Sequence, residues 1–176
     1  MKIRAENIQE ESGQTDCVSF VSPMECHGIA AIDTFIKGVD SNVPKIVSPQ
    51  TTAEVSVVYV PVSTPLQRTT SSRGVKLTSV KVHYDLDVAG TAATLKLYKV
   101  TRAADGTIAA AAEVTSTCDH SEAQLYSADE HVATLTITTP AFLADTESLH
   151  VELSITKATT TDFSFYGAWA YFTRAL

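Results

Sequence analysis

The sequence predicts an all-β protein: an antiparallel β-sandwich, jelly-roll-like, behind a less regular N-terminal arm. Two observations carry that expectation. From about residue 50 onward Thr, Val and Ser dominate, and apolar residues alternate with polar ones. Turn punctuation by Gly, Pro or Asp-Gly returns roughly every ten to fifteen residues, the spacing of short strands in sandwiches and barrels. The expected organisation is an arm and irregular segment at 1–48 and a sandwich domain at 49–176.

The first 16 residues, "MKIRAENIQEESGQTD", are polar and read as a solvated arm, frayed or docked on a neighbouring subunit. Turn signals follow at Ser22-Pro23 and Asn42-Val43-Pro44. Ile29, Ile32, Ile36 and Val39 share a helical face, yet "IAAIDTFIKG" fits a strand equally well. "STPLQRTTSSRG" at 63–74 is a long polar connection, the kind of surface loop where recognition often sits.

The plainest strand is 80–88, with Val80, Val82, Tyr84, Leu86 and Val88 on one face and Lys81, His83, Asp85 and Asp87 on the other. Burial of such apolar side chains is worth about 1.5–3 kcal/mol each and fixes the register. Val75 and Leu77 have the opposite parity, so a continuous strand needs an extra residue near Thr78 and Ser79, a β-bulge. After "AGTAA", Leu95 and Leu97 resume the period of two, and the two strands read as a hairpin. A second hairpin turns at "RAADGT", where Asp105-Gly106 supplies positive φ. Its far side, "TIAAAAEVTST", is read as a strand although its alanines favour helix. Ala133, Leu135 and Ile137 then alternate with threonines. Leu149, Val151, Leu153 and Ile155 alternate with His150, Glu152, Ser154 and Thr156.

Charge and cysteines narrow the function classes. Thirteen basic against 20 acidic residues leave a net charge of -7, and without a basic cluster a nucleic-acid partner is disfavoured. The start lacks the apolar core of a signal peptide and no run of 18 apolar residues occurs, so the expectation is a soluble chain made in the cytoplasm that does not enter the secretory route or meet a membrane. Cys17, Cys26 and Cys118 are odd in number and widely spaced, which fits neither a disulfide framework nor a zinc site.

Three constellations invite chemistry. His83, Asp85 and Asp87 line one strand face about 7 Å apart in steps of two residues, so a metal there needs ligands from a neighbouring strand, such as His150 and Glu152. The polar side of a half-buried strand accounts for them more simply. "TCDH" sets Cys118 beside Asp119 and His120, but neighbours on an extended chain point apart, and a turn explains them better. No nucleophile elbow, zincin, phosphate-loop or dinucleotide motif is present. No catalytic residue, metal or cofactor is expected.

The third is "DFSFYGAWAYFTR", which holds six of the chain's 13 aromatic residues on both parities. Strict alternation puts Phe163, Phe165, Trp169 and Tyr171 on one face and Tyr166 and Phe172, with Ala168 and Ala170, on the other. One face enters the core and the second needs a cover, either the N-terminal segment or another subunit. Tyr166, Phe172, Trp169 and Tyr171 are therefore the candidate subunit-interface residues.

From residue 73 to 173 the order "SRGVKLTSVKVHYDL", "ATLKLYKV", "DGT", "HVATLTITTPAFLADTESLHVELSIT" and "TDFSFYGAWAYFT" resembles small β-sandwich structural proteins of bacteriophage virions. The last strand is also similar to the trimeric jelly rolls of the complement and tumour-necrosis-factor-like class. Both resemblances imply multimerisation and a structural or adhesive role, with no catalytic residues. The expectation is a non-enzymatic homo-oligomer that assembles with other proteins of a larger particle, such as a phage capsid, decoration or tail. The alternative is a carbohydrate- or receptor-binding module using the 63–74 loop and Tyr126. A cupin-like metal enzyme is disfavoured, because His83 and His150 point away from the predicted core.

Overall fold

A computed structural model describes residues 14–30, 35–40, 43–48, 53–62, 75–144 and 146–175. Of the polar arm expected over the first 16 residues, 1–13 lie outside the described residues, as does the 63–74 connection, while 14–16 begin the first strand. In chain order the strands are β1 (Gln14–Val21), β2 (His27–Ala30), β3 (Ile36–Asp40), β4 (Val43–Ser48), β5 (Val55–Val62) and β6 (Val75–Leu86). There follow β7 (Ala92–Thr101), β8 (Ala112–Glu113), β9 (Ser116–Cys118), β10 (Glu130–Ile137), β11 (Glu147–Thr156) and β12 (Phe163–Ala175). A 3-10 turn, Pro23–Glu25, joins β1 to β2, and a short α-helix, α1 (Glu122–Leu125), stands between β9 and β10.

The strands form two antiparallel sheets. The seven-stranded sheet runs β3-β4-β12-β6-β10-β9, with β1 on the same edge of β12 as β4 but further along it; the five-stranded sheet runs β2-β5-β11-β7-β8. The all-β sandwich is thus the architecture of the chain. The core lies between the sheets and is built by the expected alternation. Val80, Val82, Tyr84, Leu86, Ala133, Leu135 and Ile137 face inward from one sheet, and Leu95, Leu97, Leu149, Val151, Leu153 and Ile155 from the other. The buried Tyr84 hydroxyl donates to the Leu125 carbonyl at 2.7 Å, so its polar tip is satisfied and α1 is held against the sandwich end. The bulge expected near Thr78 is present: Tyr171 pairs with Ser79 and Phe172 with Leu77, leaving Thr78 as the extra residue. Its Oγ1 donates to the Tyr171 carbonyl at 2.9 Å.

Several elements differ from the sequence reading. β6 and β7 are not a hairpin; they belong to opposite sheets, and the chain between them crosses the sandwich end. Gly90 N–H donates to Tyr126 O and Thr91 N–H to Thr156 O, both at 2.8 Å, which ties the crossing to α1 and β11. Val88, expected inward, lies past the end of β6 and is exposed. The turn after β7 does form, with Gly106 at φ +87 and Asp105 Oδ1 accepting from Thr107 N–H at 2.8 Å. Its far side is not one strand, however. Ala109 to Ala111 are exposed and outside any ladder, β8 pairs with β7, and β9 joins β10 in the other sheet. Alanine buries little and favours strand weakly, so pairing lapses where the alanines run.

The segment read as an irregular arm is woven into both sheets. β1 pairs with β12 over eight residues, β2 edges the five-stranded sheet on β5, and β3 and β4 extend the seven-stranded one. The ambiguous "IAAIDTFIKG" contributes strand at His27–Ala30 and Ile36–Asp40, with 31–34 outside the described residues.

Candidate functional site: two outer faces of the sandwich

The aromatic end of β12 is re-aimed by a second bulge. Phe165 pairs with Tyr84 and Gly167 with His83, so Tyr166 is an extra residue and the facing of β12 reverses beyond it. Gly167 takes φ +123, and a Cβ there would stand 2.8 Å from the Val21 carbonyl oxygen, so only glycine fits. Before the bulge Phe163 and Phe165 point inward; after it Ala168, Ala170 and Phe172 do. Tyr166, Trp169 and Tyr171 are left outside.

This corrects the expected faces. Phe172, grouped with Tyr166 as an interface residue, is 1% exposed and belongs to the core. Trp169 and Tyr171, expected beside Phe163, occupy the outer face instead. There β1 adds Phe20 opposite Trp169 and Val18 opposite Tyr171. The rings touch: Phe20 to Trp169 at 5.3 Å, His83 to Tyr166 at 4.9 Å and His83 to Trp169 at 6.2 Å between centroids. Lys81 Nζ lies 5.3 Å from the Tyr171 ring centre, a cation–π contact. Phe20 and Val18 are 51% and 55% exposed, and Val132, opposite His83, is 48% exposed. Beyond the sheet body, the β3-β4 ribbon carries Ile36 and Val43 with similar exposure.

The candidate metal ligands do not assemble. His83 Nε2 meets Glu130 Oε1 at 2.5 Å. Asp85 stands directly opposite Glu130. Burial, then the charges of Glu130 and Asp87, push the Asp85 carboxyl up from its ordinary value. Asp87 lies beyond the strand and accepts from Asp162 N–H at 2.6 Å. His150 and Glu152 are on the other sheet's outer face, across the sandwich from His83. Among the described residues no group of His, Cys, Asp and Glu is placed to hold a metal.

In "TCDH" the expectation holds only in part. Asp119 and His120 do meet, Oδ1 to Nδ1 at 2.7 Å, because Asp119 also accepts from Thr134 N–H at 2.7 Å and the chain bends there. Burial pushes the Cys118 thiol up, the opposite direction from the one that activates a cysteine. Sequence reasoning misses His131. It is a 5% exposed core residue stacked on Tyr84 at 4.9 Å, and its parity with Ala133 and Leu135 is the available signal. Tyr126, named for ligand contact, ends α1 and packs partly against the core.

The outer face of the five-stranded sheet carries a second cluster. Tyr59, His150 and Tyr98 lie on three adjacent strands, with centroids 5.9 Å from Tyr59 to His150 and 5.5 Å from His150 to Tyr98. The last two ring planes are 19° apart. Glu152 lies opposite both Tyr59 and Lys96, and Glu113 opposite Tyr98. Lys96 Nζ donates to Glu113 at 2.9 Å, and that bond raises the ammonium pKa. Burial, then Glu152 and Tyr98, raise the Tyr59 phenol. Elsewhere a cavity of about 330 Å³ opens between the sheets, walled by Leu77, Leu97, Phe142 and Leu149, with the Lys99–Glu147 ion pair at 2.7 Å beside them.

Fold and surface define a two-sheet antiparallel β-sandwich with aromatic outer faces. No protein-family model and no curated protein matches the sequence. Solved structures resemble it at low identity. A Clostridium thermocellum xylanase with carbohydrate-binding and catalytic modules, complexed with xylohexaose, matches with TM-score 0.42 and 12% identity over 89% of this chain and 27% of its own. A family 29 carbohydrate-binding module matches with TM-score 0.36 and 10% identity, over 88% of this chain and 90% of its own. A chain of infectious bursal disease virus, Gt strain, matches with TM-score 0.34 and 12% identity over 89% and 33%. The chain thus spans about a quarter of the xylanase chain and a third of the viral one.

Proposed function

We propose that this protein is a non-enzymatic structural unit that associates with copies of itself through the outer face of the seven-stranded sheet, as a component of a larger particle such as a phage virion. The observation that carries the reading is the exposed strip of Phe20 and Val18 beside Trp169 and Tyr171. A water-facing sheet surface ordinarily presents polar side chains. An aromatic side chain carries about 150–250 Å², so half-exposed Phe20 alone leaves roughly 100 Å² in water. A stable interface buries about 800 Å² per partner, more than the strip supplies. Ile36 on β3 and Val43 on β4 lie on the strand parity of that face and lengthen it. A two-stranded ribbon is marginal in water by itself, which fits one that is covered by a neighbour.

The test is mass by light scattering at tens of micromolar. A multiple of the chain mass is expected for the parent, and a fall towards the single chain for Phe20→Ser combined with Trp169→Ser. A parent that is strictly monomeric, or a folded double variant with unchanged mass, overturns the reading.

A further inference from the structure

We propose that the opposite outer face, the strip of Tyr59, His150 and Tyr98 on the five-stranded sheet, binds a neutral, equatorially linked polysaccharide chain. The strip has a chemistry that the seven-stranded face lacks. There Phe20, Val18 and Val132 expose hydrocarbon. Here three half-buried rings from β5, β11 and β7 run side by side across the strands, with centroids 5.9 and 5.5 Å apart in turn. Two of the three carry phenolic hydroxyls, and Glu152, Lys96 and Glu113 stand in the same cross-strand rows.

A pyranose with equatorial substituents has C–H faces above and below and hydroxyls around its rim. The exposed parts of the rings meet the C–H faces, while carboxylate, ammonium and phenol groups beside them meet the rim. Aliphatic partners would leave Glu152 and the Lys96–Glu113 pair desolvated with no new hydrogen bonds in return, so a second apolar protein surface fits poorly. The charge argues for a neutral chain: one Lys faces two carboxylates in the strip, and the whole protein carries -7. Acidic polymers, nucleic acid and polyuronate alike, are repelled. Openness argues for a polymer, because rings spread over three adjacent strands form a track and not a walled pocket. The strip lies across the sandwich from Phe20 and Trp169, so self-association leaves it accessible.

Affinity electrophoresis of the full chain through gels containing soluble xylan, β-mannan or hydroxyethylcellulose tests this. Retardation by at least one of the three is expected. Tyr98→Ala and Tyr98→Leu each weaken the apparent affinity roughly tenfold or more, while Tyr98→Phe, which keeps the ring and loses one hydroxyl, weakens it less. The leucine variant keeps the apolar bulk if the alanine variant does not fold. Unretarded migration in all three gels overturns the proposal. So does a folded Tyr98→Leu protein retarded like the parent, or equal retardation by polygalacturonate.

Discussion

Gly167→Ala tests the physical basis of the aromatic face at a single atom. Gly167 sits at φ +123, and the methyl group of an alanine there would land 2.8 Å from the Val21 carbonyl oxygen and 3.1 Å from the Phe20 ring. The backbone conformation costs a side-chain-bearing residue about 1–3 kcal/mol. The clash adds about 1–3 kcal/mol more, because Val21 is held in the β1-β12 ladder and cannot retreat without parting it. Together the loss is about 2–6 kcal/mol, against a typical domain stability of about 5–15 kcal/mol. For a chain of this size the melting midpoint should fall by about 4–24 °C. Far-UV circular dichroism on heating measures it. Gly38→Ala is the control, since a Cβ there meets nothing within 4 Å, and its midpoint should barely move. If Gly167→Ala melts within about 2 °C of the parent, the bulge is not what fixes the facing of Trp169 and Tyr171.

Three further outcomes follow from the charges and thiols. The Asp85 carboxyl is raised in the fold, chiefly by burial and then by Glu130 directly opposite, so stability falls as pH rises from the unfolded value through the folded one. Asp85→Asn should therefore add about 0.2–1 kcal/mol in urea melts at neutral pH and nothing below about pH 4; equal stability at neutral pH would refute this. Glu147 is the opposite case. Its carboxyl is lowered by the Lys99 hydrogen bond and then by Ala144 N–H, so its contribution is complete above the unfolded value and lost as pH falls through the folded one. Glu147→Gln should cost about 0.5–1 kcal/mol at pH 7, with the two proteins converging in acid; a constant difference at every pH would count against the pairing. Cys26 is 1% exposed and burial pushes its thiol up to about 12, so iodoacetamide at mildly alkaline pH should label it only after denaturation, as read by mass spectrometry. Labelling of the folded protein at the denatured rate would contradict that burial.

Much of the core is legible in the sequence because period-two alternation reports which side of a strand is apolar. It reads β10, β11 and most of β6 correctly, and the parity break at Val75 and Leu77 locates the bulge at Thr78. Alternation does not report which sheet a strand joins. Both β6 and β7 point apolar residues inward, so the crossing between sheets looks like a hairpin. The Gly167 bulge is hidden for another reason. A glycine beside alanines reads as a small residue, and its positive φ shows only in three dimensions. One missed residue displaces three aromatics, sending Phe172 inward and Trp169 and Tyr171 outward. The Tyr59, His150 and Tyr98 strip is invisible in the sequence because its members are distant along the chain and meet only through the order β5-β11-β7.

Trp169 is the chain's one tryptophan and lies on the face proposed to join copies, so it reports on that face directly. The decisive measurement is its fluorescence on dilution from tens of micromolar to nanomolar. Burial between copies predicts an emission shift to the red and stronger acrylamide quenching as the assembly dissociates. Emission and quenching that stay constant across that range, with light scattering showing that dissociation has occurred, would contradict it.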